Sequence, residues 1–151
     1  MDQQTIIDKL NWFYALELTQ IDNYTNQAEF VSDQYVSQAL KRFASIEQQH
    51  ADNIAAQMKR FGAIPSKAGN ILAPQLGKIL GNVLGAAGIF LLLRTNVAIE
   101  QKAISDYKDF IAEINDDELL KVLWSNLIDE DLHSAWMLNK AEQLAMEGEK
   151  G

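Results

Sequence analysis

The chain has 151 residues, a formal charge of -8 at pH 7, 48% hydrophobic residues and no cysteine. That length suits one domain with a sizeable core, and we expect a single domain over 1–151. The acidic balance, with no basic run interleaved with aromatics, argues against a nucleic-acid partner; the missing cysteines exclude disulfides, thiolate metal sites and cysteine-ligated iron–sulfur centres.

Helical periodicity dominates the pattern. Leu10, Phe13, Tyr14 and Ile21 recur at helical spacing around Glu17, which predicts a first helix from about Thr5 to Glu29. Ser32 or Asp33 can cap a second helix that continues to about Phe61, where Gly62 and Pro65 stop it. Gly62 to Pro74 reads as a loop because Gly, Pro, Ser and Asn cluster there. A third helix carries Glu100 and ends near Ile114. The turn Asn115-Asp116-Asp117 then caps a fourth, from about Asp117 to Met146. No strand pattern of period two is convincing. The short first and last connections predict two antiparallel pairs, and a connection from Gly62 to Leu92 joins them.

Part of that connection is apolar. Gly77, Gly81, Gly85 and Gly88 punctuate Ile79, Leu80, Val83, Leu84, Ile89 and Phe90, and Lys78 is the sole charge between Lys67 and Arg94. Small residues at this spacing let helices approach closely. The same stripe suits an apolar segment on a membrane or over a lipophilic substrate. The longest apolar run, Val83 to Leu93, has eleven residues and is too short to span a bilayer. Met1-Asp2-Gln3-Gln4 carries no basic and apolar leader pattern. A cytoplasmic location is expected, with membrane association as the alternative. Trp12, Trp124 and Trp136 are expected in the core or at a subunit contact.

The two histidines carry the chemistry. Each lies three residues after a glutamate, in Glu47-Gln48-Gln49-His50 and Glu130-Asp131-Leu132-His133. On a helix that spacing puts carboxylate and imidazole on one face, where both can grip one ion. Glu17 precedes Glu47 by thirty residues, and Glu100 precedes Glu130 by thirty. Tyr24 and Tyr107 follow Glu17 and Glu100 by seven. The whole set repeats at an offset of eighty-three, which reads as a duplicated helix pair.

Glu…Glu-x-x-His twice over resembles the ligand set of the ferritin-like di-iron or di-manganese carboxylate bundles. The resemblance covers about residues 5 to 145. It implies an all-α, ferritin-like four-helix bundle of two antiparallel pairs, with a crossover containing a short apolar helix. It implies a metal centre of Glu17, Glu47, His50, Glu100, Glu130 and His133, with Glu47 and Glu130 bridging and Glu17 and Glu100 terminal. Two Fe ions are expected, with Mn as the alternative.

Asp129 resembles the carboxylate that orients a ligand histidine, and two-fold geometry aims it at His50; Ile46 stands at the matching place in the first repeat. A solvated helix charge is the other reading of Asp129. Tyr24 and Tyr107 are expected either to donate to ligands or to pack in the core with satisfied hydroxyls.

Two branches compete. Ala15-Leu16-Glu17-Leu18, the Gly-rich apolar crossover and Asn96-Val97-Ala98-Ile99-Glu100 are similar to the demethoxyubiquinone hydroxylases, although Asp106 stands where that branch has a histidine. The other branch is the rubrerythrin-like and bacterioferritin-like peroxidases and ferroxidases. The reading is a di-iron oxidoreductase that activates O₂ or peroxide, fed by an external electron donor and expected as a homodimer. A non-catalytic metal-binding protein is the third class.

Overall fold

The structure is a computed structural model, and it describes residues 1–66 and 86–148. Among these residues it contains four helices: α1 (Gln3–Phe30), α2 (Gln34–Arg60), α3 (Ala86–Glu113) and α4 (Asp117–Gly148). The duplication is visible in their limits. Adding eighty-three to the ends of α1 gives the ends of α3, and adding it to the start of α2 gives the start of α4.

Local chemistry sets the helix ends. Asp33 caps α2 by accepting from the backbone N–H groups of Tyr35 and Val36 at 2.9 and 3.0 Å. Asp116 does the same for α4 through Leu119 N–H at 2.8 Å. At the end of α2, Gly62 takes φ 79°, so its N–H reaches Lys59 O and that of Ala63 reaches Met58 O, both at 2.9 Å. A left-handed residue closing a helix is where glycine is favoured.

Side-chain contacts fix the directions. Between α1 and α3, Phe13 stacks on Phe110 at 5.8 Å, Tyr107 donates to Glu17, Tyr24 donates to Glu100, and Gln27 and Asn96 exchange two amide hydrogen bonds. Residue numbers rise on α1 as they fall on α3, so the two are antiparallel. Between α2 and α4, Phe43 meets Trp136, Glu47 meets His133 and Arg60 meets Asp116, again antiparallel. Since α1 and α2 form a hairpin, α2 and α3 run in parallel. The chain leaves α2 at one end of the bundle and enters α3 at the other, about 42 Å away for a helix of this length. Ser66 is already on that route, its N–H bonded to Asn11 at 2.9 Å.

The core lies in two apolar blocks. One gathers Leu10, Phe13, Ile54, Met58, Tyr107, Phe110, Leu119 and Leu123. The other gathers Tyr24, Val36, Leu40, Phe43, Leu92, Leu93, Met137 and Ala141. The offset maps one block on the other: Leu10 on Leu93, Val36 on Leu119, Leu40 on Leu123, Ile54 on Met137. Between the blocks lies a layer of buried polar residues.

α3 begins at Ala86, earlier than the sequence pattern indicates. Ile89, Leu92 and Leu93 bury fully in its first turns, and Phe90 packs beside them. Burying several such side chains, at about 1.5–3 kcal/mol each, outweighs the roughly 1 kcal/mol a helical glycine costs. This part of the apolar stripe therefore belongs to the bundle core. Gly77, Gly81 and Gly85, and the expected short crossover helix, lie outside the described residues. No helix among the described residues is long and apolar enough to cross a membrane.

Of the tryptophans, Trp12 and Trp136 are partly buried. Trp124 is 50% exposed, in line with Ile128 at 56% and Leu132 at 60% on the outer face of α4.

Gly62 makes a specific prediction. A Cβ there meets nothing within 4 Å, so only the backbone resists it. Gly62→Ala is expected to lower unfolding free energy by about 1–2 kcal/mol, measured by urea denaturation.

Candidate dinuclear metal centre

Each helix contributes to the polar layer. Glu17 comes from α1, Glu47 and His50 from α2, Glu100 from α3, and Glu130 and His133 from α4. All six are at most 2% exposed. The expected residues are brought together: Glu17, Glu47, His50 and Glu130 form one convergent group, and Glu47, Glu100, Glu130 and His133 form another. Glu47 and Glu130 belong to both.

The shared glutamates each present one oxygen to either histidine. His50 Nδ1 lies 2.9 Å from Glu47 Oε2 and 3.5 Å from Glu130 Oε1. His133 Nδ1 lies 2.9 Å from Glu47 Oε1 and 3.7 Å from Glu130 Oε2. Glu17 stands 3.9 Å from His50, and Glu100 stands 3.8 Å from His133. Close as they are, these contacts lack hydrogen-bond alignment. Both oxygens of Glu47 and of Glu130, one oxygen each of Glu17 and Glu100, and both Nδ1 atoms are buried without a partner.

Orphaned donors and acceptors are rare in folded interiors. Here the orphans converge, and carboxylate oxygens mixed with imidazole nitrogens suit Fe, Mn or Zn. The side chains present thus fit two divalent cations, with Glu17 and His50 on one side, Glu100 and His133 on the other, and Glu47 and Glu130 between.

Hydrogen bonds hold the outer carboxylates. Tyr107 donates to Glu17, and Tyr24 donates to Glu100, so each tyrosine serves the glutamate of the other repeat. Burial first, then nearby carboxylates (chiefly Glu100 for Tyr24 and Glu17 for Tyr107), hold both phenols well above their usual range, leaving them neutral donors. Asp129 Oδ2 lies 3.1 Å from His50 Nε2, the partner expected for it.

The two halves differ around this shared frame. His133 Nε2 has no partner, and Ile46, the counterpart of Asp129 by the offset, carries no acceptor. Asn126 donates to the Tyr107 hydroxyl at 3.1 Å, while its counterpart by the offset, Phe43, packs on Tyr24 and His133. Asn126 escaped sequence reasoning, and so did the pairing of Gln27 with Asn96, although Asn96 stands in the motif before Glu100. Their signal was there, as polar residues on the inward stripes of the helices.

Without cations, protons balance the cluster. Burial first, then Glu130, raises the Glu17 carboxyl to about 8. Burial and Glu130 also push Glu100 well above the carboxylate range. Burial opposes charge on the histidines, but the surrounding carboxylates outweigh it: His133 rises to about 9, and His50 rises too, through Glu130, Glu17 and Glu47. Glu130 goes the other way; burial disfavours its charge, and Glu100, His133 and His50 hold it below the usual range.

By sequence, no family model and no curated protein matches the chain. Solved structures do. The dodecameric thioferritin, a bacterioferritin-related protein from Bacteroides fragilis, aligns over 99% of this chain and 92% of its own, at TM-score 0.83 and 22% identity. The Desulfovibrio desulfuricans bacterioferritin, with a diiron site seen in different catalytic states, aligns over 98% and 84% at TM-score 0.79 and 22% identity. The Rhodobacter capsulatus bacterioferritin, with a metal-free dinuclear site and heme iron, aligns over 100% and 89% at TM-score 0.75 and 22% identity. The chain therefore has the ferritin-like four-helix fold. At this identity the likeness speaks for the fold, and the chemistry rests on the residues themselves.

Protonation gives a prediction of definite sign. Glu17, Glu100, His50 and His133 all bind protons more tightly in the folded state, so folded protein holds more protons than unfolded protein between about pH 4.5 and 9. Stability then falls as pH rises. The melting temperature of metal-free protein is expected to drop from pH 5.5 to pH 9. Loading divalent cations at pH 7 should release close to four protons per chain, two from Glu17 and Glu100 and two from His50 and His133. Both are read in weakly buffered titrations with calorimetry.

Proposed function

We propose that the protein is a dinuclear iron–carboxylate oxidoreductase of the ferroxidase or peroxidase kind, which oxidises Fe²⁺ at the expense of O₂ or peroxide. The carrying observation is the pair of shared glutamates: Glu47 and Glu130 each offer one oxygen to the Glu17–His50 side and one to the Glu100–His133 side. The likeness to bacterioferritins supports this branch over quinone hydroxylation. Iron is the preferred metal of the reading, and manganese is the alternative.

Iron held by Glu17, Glu47, His50, Glu100, Glu130 and His133 would supply one-electron chemistry there. Overall, two substrate Fe²⁺ and two protons would take O₂ to hydrogen peroxide, and two further Fe²⁺ and two protons would take peroxide to two waters. The chain's own residues set the conditions. Glu17 and Glu100 are anchored by Tyr107 and Tyr24. Asp129 Oδ2 lies 3.1 Å from His50 Nε2, placed to accept from an Nε2–H and so to leave Nδ1 facing the centre. The flanking apolar blocks exclude bulk water, which strengthens electrostatic interactions inside. The chain has no cysteine-ligated redox centre; as a ferroxidase it takes its electrons from the Fe²⁺ substrate, and as a peroxidase it needs an external donor.

The test is iron stoichiometry and turnover. Wild-type protein should take up two iron ions per chain and consume Fe²⁺ with O₂ or peroxide as oxidant. His50→Ala and His133→Ala should each lower affinity or rate at least about tenfold, with helicity by circular dichroism retained. Full iron loading and unchanged rates in both variants would sink the reading.

The exposed row Trp124, Ile128 and Leu132 supports self-association. The row is symmetric about Ile128, so two copies of α4 packed antiparallel would set each Trp124 on the other copy's Leu132, an isologous contact. We expect a homodimer at least, and Ile128→Glu should shift the species in analytical ultracentrifugation toward monomer without loss of iron binding.

A further inference from the structure

The seam between α1 and α3 is built in rows. Phe13 faces Phe110, Glu17 meets Tyr107, Tyr24 meets Glu100, and Gln27 pairs with Asn96. In each row the two residue numbers total 123 or 124, the mark of one antiparallel register. The same register sets Gln20 against Ala103, and the duplication relates these two positions to each other, so this row lies at the pseudo-two-fold axis. It falls between the rows of the two outer carboxylates, Glu17 and Glu100.

Every other row is matched, apolar with apolar or donor with acceptor. The central row is not. Gln20 is 1% exposed, and both its Nε2 and its Oε1 are buried without a partner. Ala103 offers only a methyl group, and it too is buried. An unpartnered buried amide is costly, and a few residues away Gln27 and Asn96 show how this seam satisfies amides when it has two. Apolar side chains fill the flanking blocks, so a polar residue at the centre needs another reason.

Position supplies one. The histidines approach the centre from the α2–α4 side, whereas Glu17, Gln20 and Glu100 lie on α1 and α3. We propose that Gln20 marks a binding position for a small hydrogen-bonding ligand on the α1–α3 side of the centre, of the size and chemistry of water, hydroperoxide or a triatomic anion. The amide carries a donor and an acceptor on one group. Hydroperoxide, which has an O–H and a bare oxygen, matches both; an anion uses the N–H alone. Gln20 acts as a positioning residue: it orients this ligand between the two outer carboxylates and is not itself a metal ligand.

This rests on the dinuclear reading of the cluster, and the experiment separates the two. Iron-loaded wild type, Gln20→Met and the double variant Gln20→Ala/Ala103→Gln are assayed for iron per chain, then titrated with azide as the anionic probe by absorption spectroscopy. Met keeps the length of the side chain and removes its hydrogen bonds. The double variant carries the amide to the equivalent place across the axis. Expected are two irons per chain in all three, azide binding about three- to tenfold weaker in Gln20→Met, and recovery to within about twofold in the double variant. Metal-free Gln20→Met should also melt higher than wild type, since it buries no orphan amide. Full iron loading with unchanged azide affinity in Gln20→Met overturns the proposal and leaves the metal centre standing. Failure of wild type to take up iron overturns both.

Discussion

Four carboxylates and two imidazoles are packed into one dry layer of a helical bundle, and the rest of the structure answers to that. Two like charges 4 Å apart repel by about 4 kcal/mol at an effective dielectric of 20. Several such pairs together rival the whole stability of a domain, roughly 5–15 kcal/mol. The layer therefore exists only with compensating positive charge. In the metal-free protein that charge is protons, held on Glu17, Glu100 and both histidines. Four protons and two divalent cations carry the same charge, so one can replace the other with the side chains in place.

The apolar blocks on either side make the layer tolerable. They are near copies, one per end, and they hold four helices at a fixed register. Register is what matters, because a one-residue shift turns a helical side chain by about 100°. Phe13 on Phe110 at one end and the Gln27–Asn96 amide pair at the other pin α1 to α3. Between those pins the outer glutamates find tyrosines from the opposite repeat.

Duplication gives the centre its two-fold form, and a few substitutions break the symmetry. Asp129, Asn126 and Gln20 are polar, whereas their counterparts Ile46, Phe43 and Ala103 are apolar. The consequence is a His50 whose outer nitrogen is held and a His133 whose outer nitrogen is not. An imidazole fixed by a carboxylate is the more basic ligand. Two chemically similar groups of side chains thus differ in what holds them from outside.

Much of this was legible in the sequence, because two properties survive without coordinates. Helical periodicity around Glu17, with cap and stop residues further along, announced four helices, and the short first and last connections announced their pairing. The repeated Glu-x-x-His named its own residues, since i and i+3 share a helix face whatever the tertiary fold. The start of α3 was not legible: Gly85 and Gly88 lower local helix propensity, and only burial of Ile89, Leu92 and Leu93 against other helices reverses it. Nor was the exchange of tyrosines between repeats. Spacing places Tyr24 on the face of Glu17, but only the antiparallel approach of α3 decides that its hydroxyl meets Glu100. Trp124 could equally have been core by composition; the rotation of α4 in the bundle put it outside. The sequence by itself determined which residues share a helix face, because that depends on bonds within one helix. Which face meets which, and which polar groups are left without a partner, depends on contacts between helices distant in the chain, and those only the tertiary structure decided.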